Sequence, residues 1–125
     1  MTKYDKTFEP PAPIAQVQLR NTETGKRVKN VPMLLDTGAD ISLLPSHFVK
    51  TLGVKPLLNE SFELEGFYGT EKSAKVYYFQ VIFLNKRFTG KYCQIEDSIG
   101  ILGRDILNQL SILFDGNNLL WKDNK

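Results

Sequence analysis

The chain has 125 residues, of which 42% are hydrophobic and 24% are charged, which is typical of one soluble globular domain. Its net charge of +2 is too small to indicate binding to nucleic acid or to an anionic membrane surface. Because no stretch has the length and apolar character of a secretion signal or a membrane span, we expect a cytoplasmic protein.

The first thirteen residues are predicted to form a flexible arm. Three prolines in "EPPAP" (9–13) remove backbone donors and fix φ, so regular structure is not expected there. The folded domain is expected to span residues 14–125.

The next segments predict a hairpin and a helix. Alternating apolar residues in "IAQVQL" (14–19) indicate a strand, the turn residues "NTETGK" follow, and "RVKNVPMLL" (27–35) indicates the returning strand. Pro45 and Ser46 precede "HFVKTL", and Gly53 follows it, so this segment is predicted to be a short helix.

The second half of the chain is predicted to be mostly strands. "SFELEGFYGTEKSAKVYYFQVIFL" (61–84) reads as a hairpin, and Asn85-Lys86 reverses the chain into "RFTGKYCQI". An apolar run "IGILG" (99–103), a short helix in "RDILNQLS" and a hairpin in "ILFDGNNLLW" (112–121) complete the order. Seven or more short strands with one or two small helices predict a single, mainly β, barrel-like domain.

The segment "LLDTGAD" places a carboxylate, Asp36, between two apolar stretches. Burial of an unpaired carboxylate is costly, so such a residue is usually hydrogen-bonded, paired or functional. Taken alone, Asp36-Thr37-Gly38 is also compatible with a simple turn at the end of a strand.

Three motifs in order resemble the retropepsin-like (retroviral-type) aspartic proteases. "LLDTGAD" is similar to the catalytic loop of that family, "EGFYGT" to its flap and "IGILGRDIL" to its last helix. The resemblance extends from about residue 15 to residue 121 and is weakest in the flap. It implies a closed β-barrel acid-protease fold with a flap hairpin. The long C-terminal hairpin is more similar to non-retroviral cellular members.

The resemblance implies an aspartic endopeptidase that acts on a peptide or protein substrate without a cofactor or metal. Such enzymes use two carboxylates that share one proton around a water molecule. The chain has one Asp-Thr-Gly, so the second Asp36 would come from another copy in a homodimer. The C-terminal hairpin is expected to build the interface, with contributions from Leu119, Leu120 and Trp121.

The resemblance also assigns roles to individual residues. The catalytic residues would be Asp36, Thr37 and Gly38. The substrate would be contacted by Gly38, Asp40, Ile41, Gly66, Phe67, Tyr68, Gly69, Ile99 and Ile101. Asp40 would also pair with Arg104, because a guanidinium fork matches a carboxylate.

Several alternatives remain open at this point. Arg104 and Asp105 could be helix-start charges, the three isoleucines could be core residues, and Phe67 with Tyr68 could be a partner-binding patch. The same fold could also serve as a non-catalytic peptide-binding or dimerisation module. A reactive Cys93 is disfavoured because no base is expected nearby, and one histidine with one cysteine is too few for a zinc site.

Overall fold

A computed structural model describes residues 1–65 and 71–125. The side chains of residues 64–72 lie outside the description. The fold is mainly β with two short helices, α1 (Ser46–Leu52) and α2 (Arg104–Leu107). The strands are β1 (Thr2–Lys3), β2 (Ile14–Arg20), β3 (Arg27–Leu35), β4 (Leu43–Pro45), β5 (Ser61–Glu65), β6 (Glu71–Phe83), β7 (Lys86–Ile95), β8 (Gly100–Leu102), β9 (Ile112–Asp115) and β10 (Leu120–Asp123).

Six strands close into a barrel. Their order is β2-β3-β8-β4-β7-β6, and pairing of β2 with β6 completes the circle, while β5 extends the sheet beyond β6. The barrel interior is filled by fully buried side chains, among them Leu19, Val31, Phe79, Val81 and Leu102. Each such side chain contributes about 1.5–3 kcal/mol by leaving water. The predicted mainly β, closed-barrel fold is confirmed.

The strands around β8 determine where the loop after β3 lies. β8 pairs in parallel with β3 and antiparallel with β4, and β4 pairs in parallel with β7. In the first pair Leu35 lies opposite Leu102, the last residue of each strand. Because parallel strands end at the same edge, Asp36 and Gly103 emerge side by side.

The observed turns lie within one residue of the positions predicted from the sequence. α1 ends where Gly53 adopts a left-handed conformation (φ 81), as predicted. The β6–β7 reversal is centred on Leu84 and Asn85, both with positive φ (51 and 61), one residue before its predicted place. The C-terminal hairpin forms as β9 and β10, whereas α2 is only one turn of the longer helix predicted there.

The N-terminal segment differs from its prediction as a flexible arm. β1 pairs with β10, and the N–H of Tyr4 donates to the carbonyl of Leu119 at 2.8 Å. Asp5 and Ala12 exchange backbone hydrogen bonds of 2.7 and 3.1 Å. The prolines restrict only their own surroundings and give no information on pairing with a distant strand. β1 therefore belongs to a three-stranded sheet with order β1-β10-β9, and the Asp5–Ala12 bridge lies outside it.

Within the described ranges, no helix is both long enough and apolar enough to span a bilayer.

Candidate active site

Asp36 is held at the end of the barrel where β3 and β8 both finish. Its backbone N–H donates to the carbonyl of Leu102 at 3.0 Å, which ties the start of the loop to β8. Its Oδ1 accepts a hydrogen bond from the N–H of Gly38 at 2.9 Å. The Asp36 side chain is half-buried, and Thr37 and Gly38 are exposed. The structure therefore presents the Asp-Thr-Gly triplet at the surface of the single chain.

Gly38 leaves room for the carboxylate beside it. A Cβ at this position would lie 3.1 Å from Oδ1 of Asp36, closer than ordinary van der Waals contact. A side chain would therefore crowd the oxygen that the Gly38 N–H holds. Absence of the side chain also keeps the backbone of the loop accessible.

The predicted Asp40–Arg104 ion pair is wrong for this chain. Among the side chains that the structure describes, the ion pairs join other partners, and Asp40 is exposed. Arg104 instead donates from Nη1 to the carbonyl of Thr37 at 2.7 Å, and its backbone N–H donates to the carbonyl of Ala39 at 2.9 Å. The register of β3 and β8 places the start of α2 against these carbonyls, while an exposed ion pair with Asp40 would contribute little.

Asp105 and Ser42 form a hydrogen-bond bracket that the sequence did not predict, in which Ser42 is buried and Asp105 is exposed. The carboxylate of Asp105 accepts from the Ser42 N–H at 3.0 Å, from the Ser42 hydroxyl at 2.6 Å and from the Ile106 N–H at 3.0 Å. The Ser42 hydroxyl oxygen accepts from the Gly103 N–H at 3.0 Å, and Ser42 is only 1% exposed. The sequence signal was a serine between Ile41 and Leu43 in an otherwise apolar run.

Gly103 completes the attachment of the loop to α2. A Cβ there would lie 2.6 Å from the carbonyl oxygen of Ile41 and 2.9 Å from that of Ala39. These are backbone atoms, which cannot rotate away. Only glycine therefore allows β8 to pass so close to the loop.

The structure describes only some of the other predicted substrate-binding residues. Ile41, Ile99 and Ile101 are all half-buried, which is compatible with either a subsite or a core position. Strands β5 and β6 form the predicted hairpin, with Glu65 opposite Glu71. The predicted contacts of its tip, Gly66, Phe67, Tyr68 and Gly69, lie outside the described residues.

Cys93 and His47 do not form a second catalytic site. Cys93 is buried, and this burial raises the pKa of its thiol, which disfavours the nucleophilic thiolate. His47 lies exposed on α1 with its ring against Phe48. Among the residues whose placement is described, no three histidine, cysteine or acidic side chains cluster in a way that could hold a metal ion.

Asp105→Ala should lower the melting temperature, because it leaves two Ser42 donors without their acceptor. An unsatisfied buried polar group costs about 1–3 kcal/mol. Asp105→Asn keeps one carbonyl oxygen and should recover part of the loss. Thermal unfolding measures both, with Asp97→Ala as a control for removal of an exposed carboxylate that has no contact with Ser42. If Asp105→Ala and Asp97→Ala melt at the same temperature, the bracket does not stabilise the loop.

Comparison with known proteins adds to this geometry. A family model described as "Retroviral aspartyl protease" matches residues 10–114. No curated protein matches the sequence.

Three solved proteases share the fold with this chain. The protease of EIAV, solved with an inhibitor, is 22% identical over 78% of this chain and 86% of its own, with a TM-score of 0.62. The protease of simian foamy virus (mac) is 16% identical over 77% and 92%, with a TM-score of 0.53. A retropepsin-like aspartic protease from Rickettsia conorii is 20% identical over 88% and 91%, with a TM-score of 0.50.

Proposed function

The chain belongs to the retroviral aspartyl protease family, and from this premise we propose that it is an aspartic endopeptidase whose active site is completed by a second copy of the chain. The observation that carries the proposal is the position of Asp36. Its carboxylate lies at the end of the barrel where β3 and β8 finish. Hydrogen bonds to Leu102 of β8 and from Arg104 of α2 hold the loop that carries it. Such a loop is rigid enough to position a reacting group.

The proposed chemistry is hydrolysis of a peptide bond by water. One ionised Asp36 takes a proton from the water as the water oxygen attacks the carbonyl carbon. The protonated Asp36 of the second copy donates a hydrogen bond to the developing oxyanion and then passes its proton to the leaving nitrogen. Two carboxylates a few ångströms apart cannot both ionise cheaply, so they titrate as a unit and share one proton.

Two other carboxylates of the same chain, Asp105 and Asp115, are poor candidates for the second role. Asp105 is occupied by hydrogen bonds from Ser42 and Ile106. Asp115 accepts hydrogen bonds from the side chain and backbone of Asn118, and these bonds lower its pKa. A lowered pKa favours the ionised form, whereas the second role requires the protonated form. The Asp36 of a second copy is therefore the simplest source of the second carboxylate.

Digestion of a mixed peptide library at acid to neutral pH tests the proposed activity. We expect new peptide termini that share a sequence preference and are absent from incubations without protein. A library that remains intact at every pH, although the protein is folded and dimeric, would contradict an endopeptidase. Binding of peptides without cleavage would then indicate a non-catalytic module.

The structure changes the residues proposed for the dimer contact. Trp121, expected at the interface, is only 5% exposed, donates from Nε1 to the carbonyl of Ile14 at 3.3 Å and packs against Phe83. It therefore belongs to the core of one chain. Leu113 and Phe114 on β9 are each 40% exposed, and β9 is the outer strand of its sheet in the described part of the chain. We place the contact between copies on β9.

Leu113→Asp should shift the protein toward monomer and reduce cleavage, because it introduces a charge into the proposed apolar contact. Sedimentation velocity at micromolar concentration measures the change. Leu58→Asp is the matched control, since Leu58 is 89% exposed outside this sheet and should leave the dimer unchanged. If both variants sediment like the wild type, the contact lies elsewhere on the molecule.

A further inference from the structure

One outer face of the barrel carries a line of cations. It is formed by β3, β2, β6 and β7, which lie side by side in this order. Alternate side chains of these strands fill the barrel interior, so the side chains between them point outward. Four outward cations define what we call the basic face: Arg20, Arg27, Lys29 and Arg87.

Acidic residues neutralise little of this charge. Strands β2, β3 and β7 contain no aspartate or glutamate. The ion pairs among the described side chains do not include any residue of the basic face. Glu23 lies in the β2–β3 turn, where Lys26 offsets it. Since the four cations exceed the net charge of +2, the rest of the chain is negative on balance, and the net charge alone does not show this asymmetry.

The register of the strands brings these like charges together. Arg20 lies directly opposite Arg27 in the β2–β3 pair, an arrangement that is destabilising for like charges. Lys29 follows two residues after Arg27 on β3, and Arg87 lies on β7, beyond β6. Because neighbouring strands are about 4.8 Å apart, the cations form a line across the sheet. A bound polyanion would relieve their repulsion.

An exposed aromatic ring lies on the same side of the sheet. Tyr78 on β6 is 46% exposed and lies opposite Lys91, whose charge is paired with Glu60 at 2.5 Å. At residues 80–82, β6 pairs with β2 on one side and with β7 on the other, so a peptide cannot add there as a further strand. Each nucleotide of a single strand brings a phosphate for a cation and a base for an aromatic ring. The arrangement therefore suits nucleic acid better than an acidic peptide.

We propose that the basic face and Tyr78 bind single-stranded nucleic acid. The guanidinium and ammonium groups contact phosphates, and the ring of Tyr78 stacks on a base. Contacts of this kind do not distinguish one base sequence from another. The inference is independent of the proposed protease activity, because Asp36 lies at the end of the barrel and not on this face.

Fluorescence anisotropy of a labelled, mixed-sequence oligonucleotide of about 16 nucleotides measures the binding, with RNA and DNA in separate arms. Affinity should fall between about 50 mM and about 200 mM salt, because phosphate contacts release counterions. For four contacts, the logarithm of Kd should rise with the logarithm of salt concentration with a slope of about 3.

Single variants locate the contacts. Arg27→Gln and Arg87→Gln should each raise Kd by roughly fivefold to tenfold at about 50 mM salt and lower the slope by about 0.7. Lys50→Gln is the matched control, since it removes one exposed cation from α1 and should change neither value. Tyr78→Ala should raise Kd about fivefold or more, whereas Tyr78→Phe keeps the ring and should bind like the wild type.

Three results would overturn the proposal. The first is a wild type that binds neither oligonucleotide at about 50 mM salt. The second is an equal loss in Arg27→Gln and Lys50→Gln, which would mean that total charge and not this face attracts the strand. The third is binding of a polyglutamate peptide at least as tightly as the oligonucleotide, with no effect of Tyr78→Ala, which would indicate an acidic protein partner. Asp36→Asn should bind like the wild type, so failure of this inference and failure of the proposed function are distinguishable.

Discussion

Asp36→Asn should abolish peptide cleavage while the fold is retained. The amide cannot accept the proton of the attacking water at neutral or acid pH, and the change affects both halves of the proposed active site. General acid–base groups contribute about 10²–10⁴-fold to a rate, so the loss should be at least of that order. The amide oxygen can still accept the Gly38 N–H bond of 2.9 Å, so the loop should keep its shape.

Initial cleavage rates of purified wild type and Asp36→Asn measure this effect. Melting temperature and sedimentation should match between the two proteins, which excludes unfolding as the cause. Asp97→Asn and Asp115→Asn are matched controls, since each removes a carboxylate that a single-chain active site could use instead. Near-normal activity of Asp36→Asn, or a comparable loss in either control, would contradict the assignment of Asp36.

Specific activity should fall on dilution, because one chain supplies only one Asp36. Below the dissociation constant of the dimer, activity per chain should decrease in proportion to the fraction of dimer. Association also stabilises the associated state by mass action, so the melting temperature should rise with protein concentration. Cleavage rates and thermal unfolding across a thousandfold range of roughly nanomolar to micromolar concentrations test both effects. Constant activity per chain throughout would indicate a monomeric enzyme.

Features defined by local sequence could be predicted. The strand before Asp36 and the turn within Asp36-Thr37-Gly38 follow from an apolar run that ends in turn residues. The helix α1 follows from Pro45 at its start and Gly53 at its end. Because these signals lie within a few residues of the structure they specify, they can be read without knowledge of the rest of the fold.

Features that depend on distant pairing could not be predicted. Arg104 contacts the Thr37 carbonyl, and Asp105 contacts Ser42, because β3 and β8 end at one edge of the barrel. The residues in each of these contacts are more than sixty positions apart, and composition does not reveal which carbonyl or hydroxyl will face a charged side chain. The pairing of β1 with β10 and the burial of Trp121 depend in the same way on tertiary structure.

The central claim is that two Asp36 residues, one from each copy, form one active site. Titration of a fixed amount of wild type with Asp36→Asn tests it most directly, after exchange of subunits at a total concentration above that needed for dimer formation. Heterodimers then contain one aspartate and one asparagine, so a ninefold excess of the variant should reduce activity per wild-type chain to about one tenth. Activity that stays constant through the titration would contradict the shared active site.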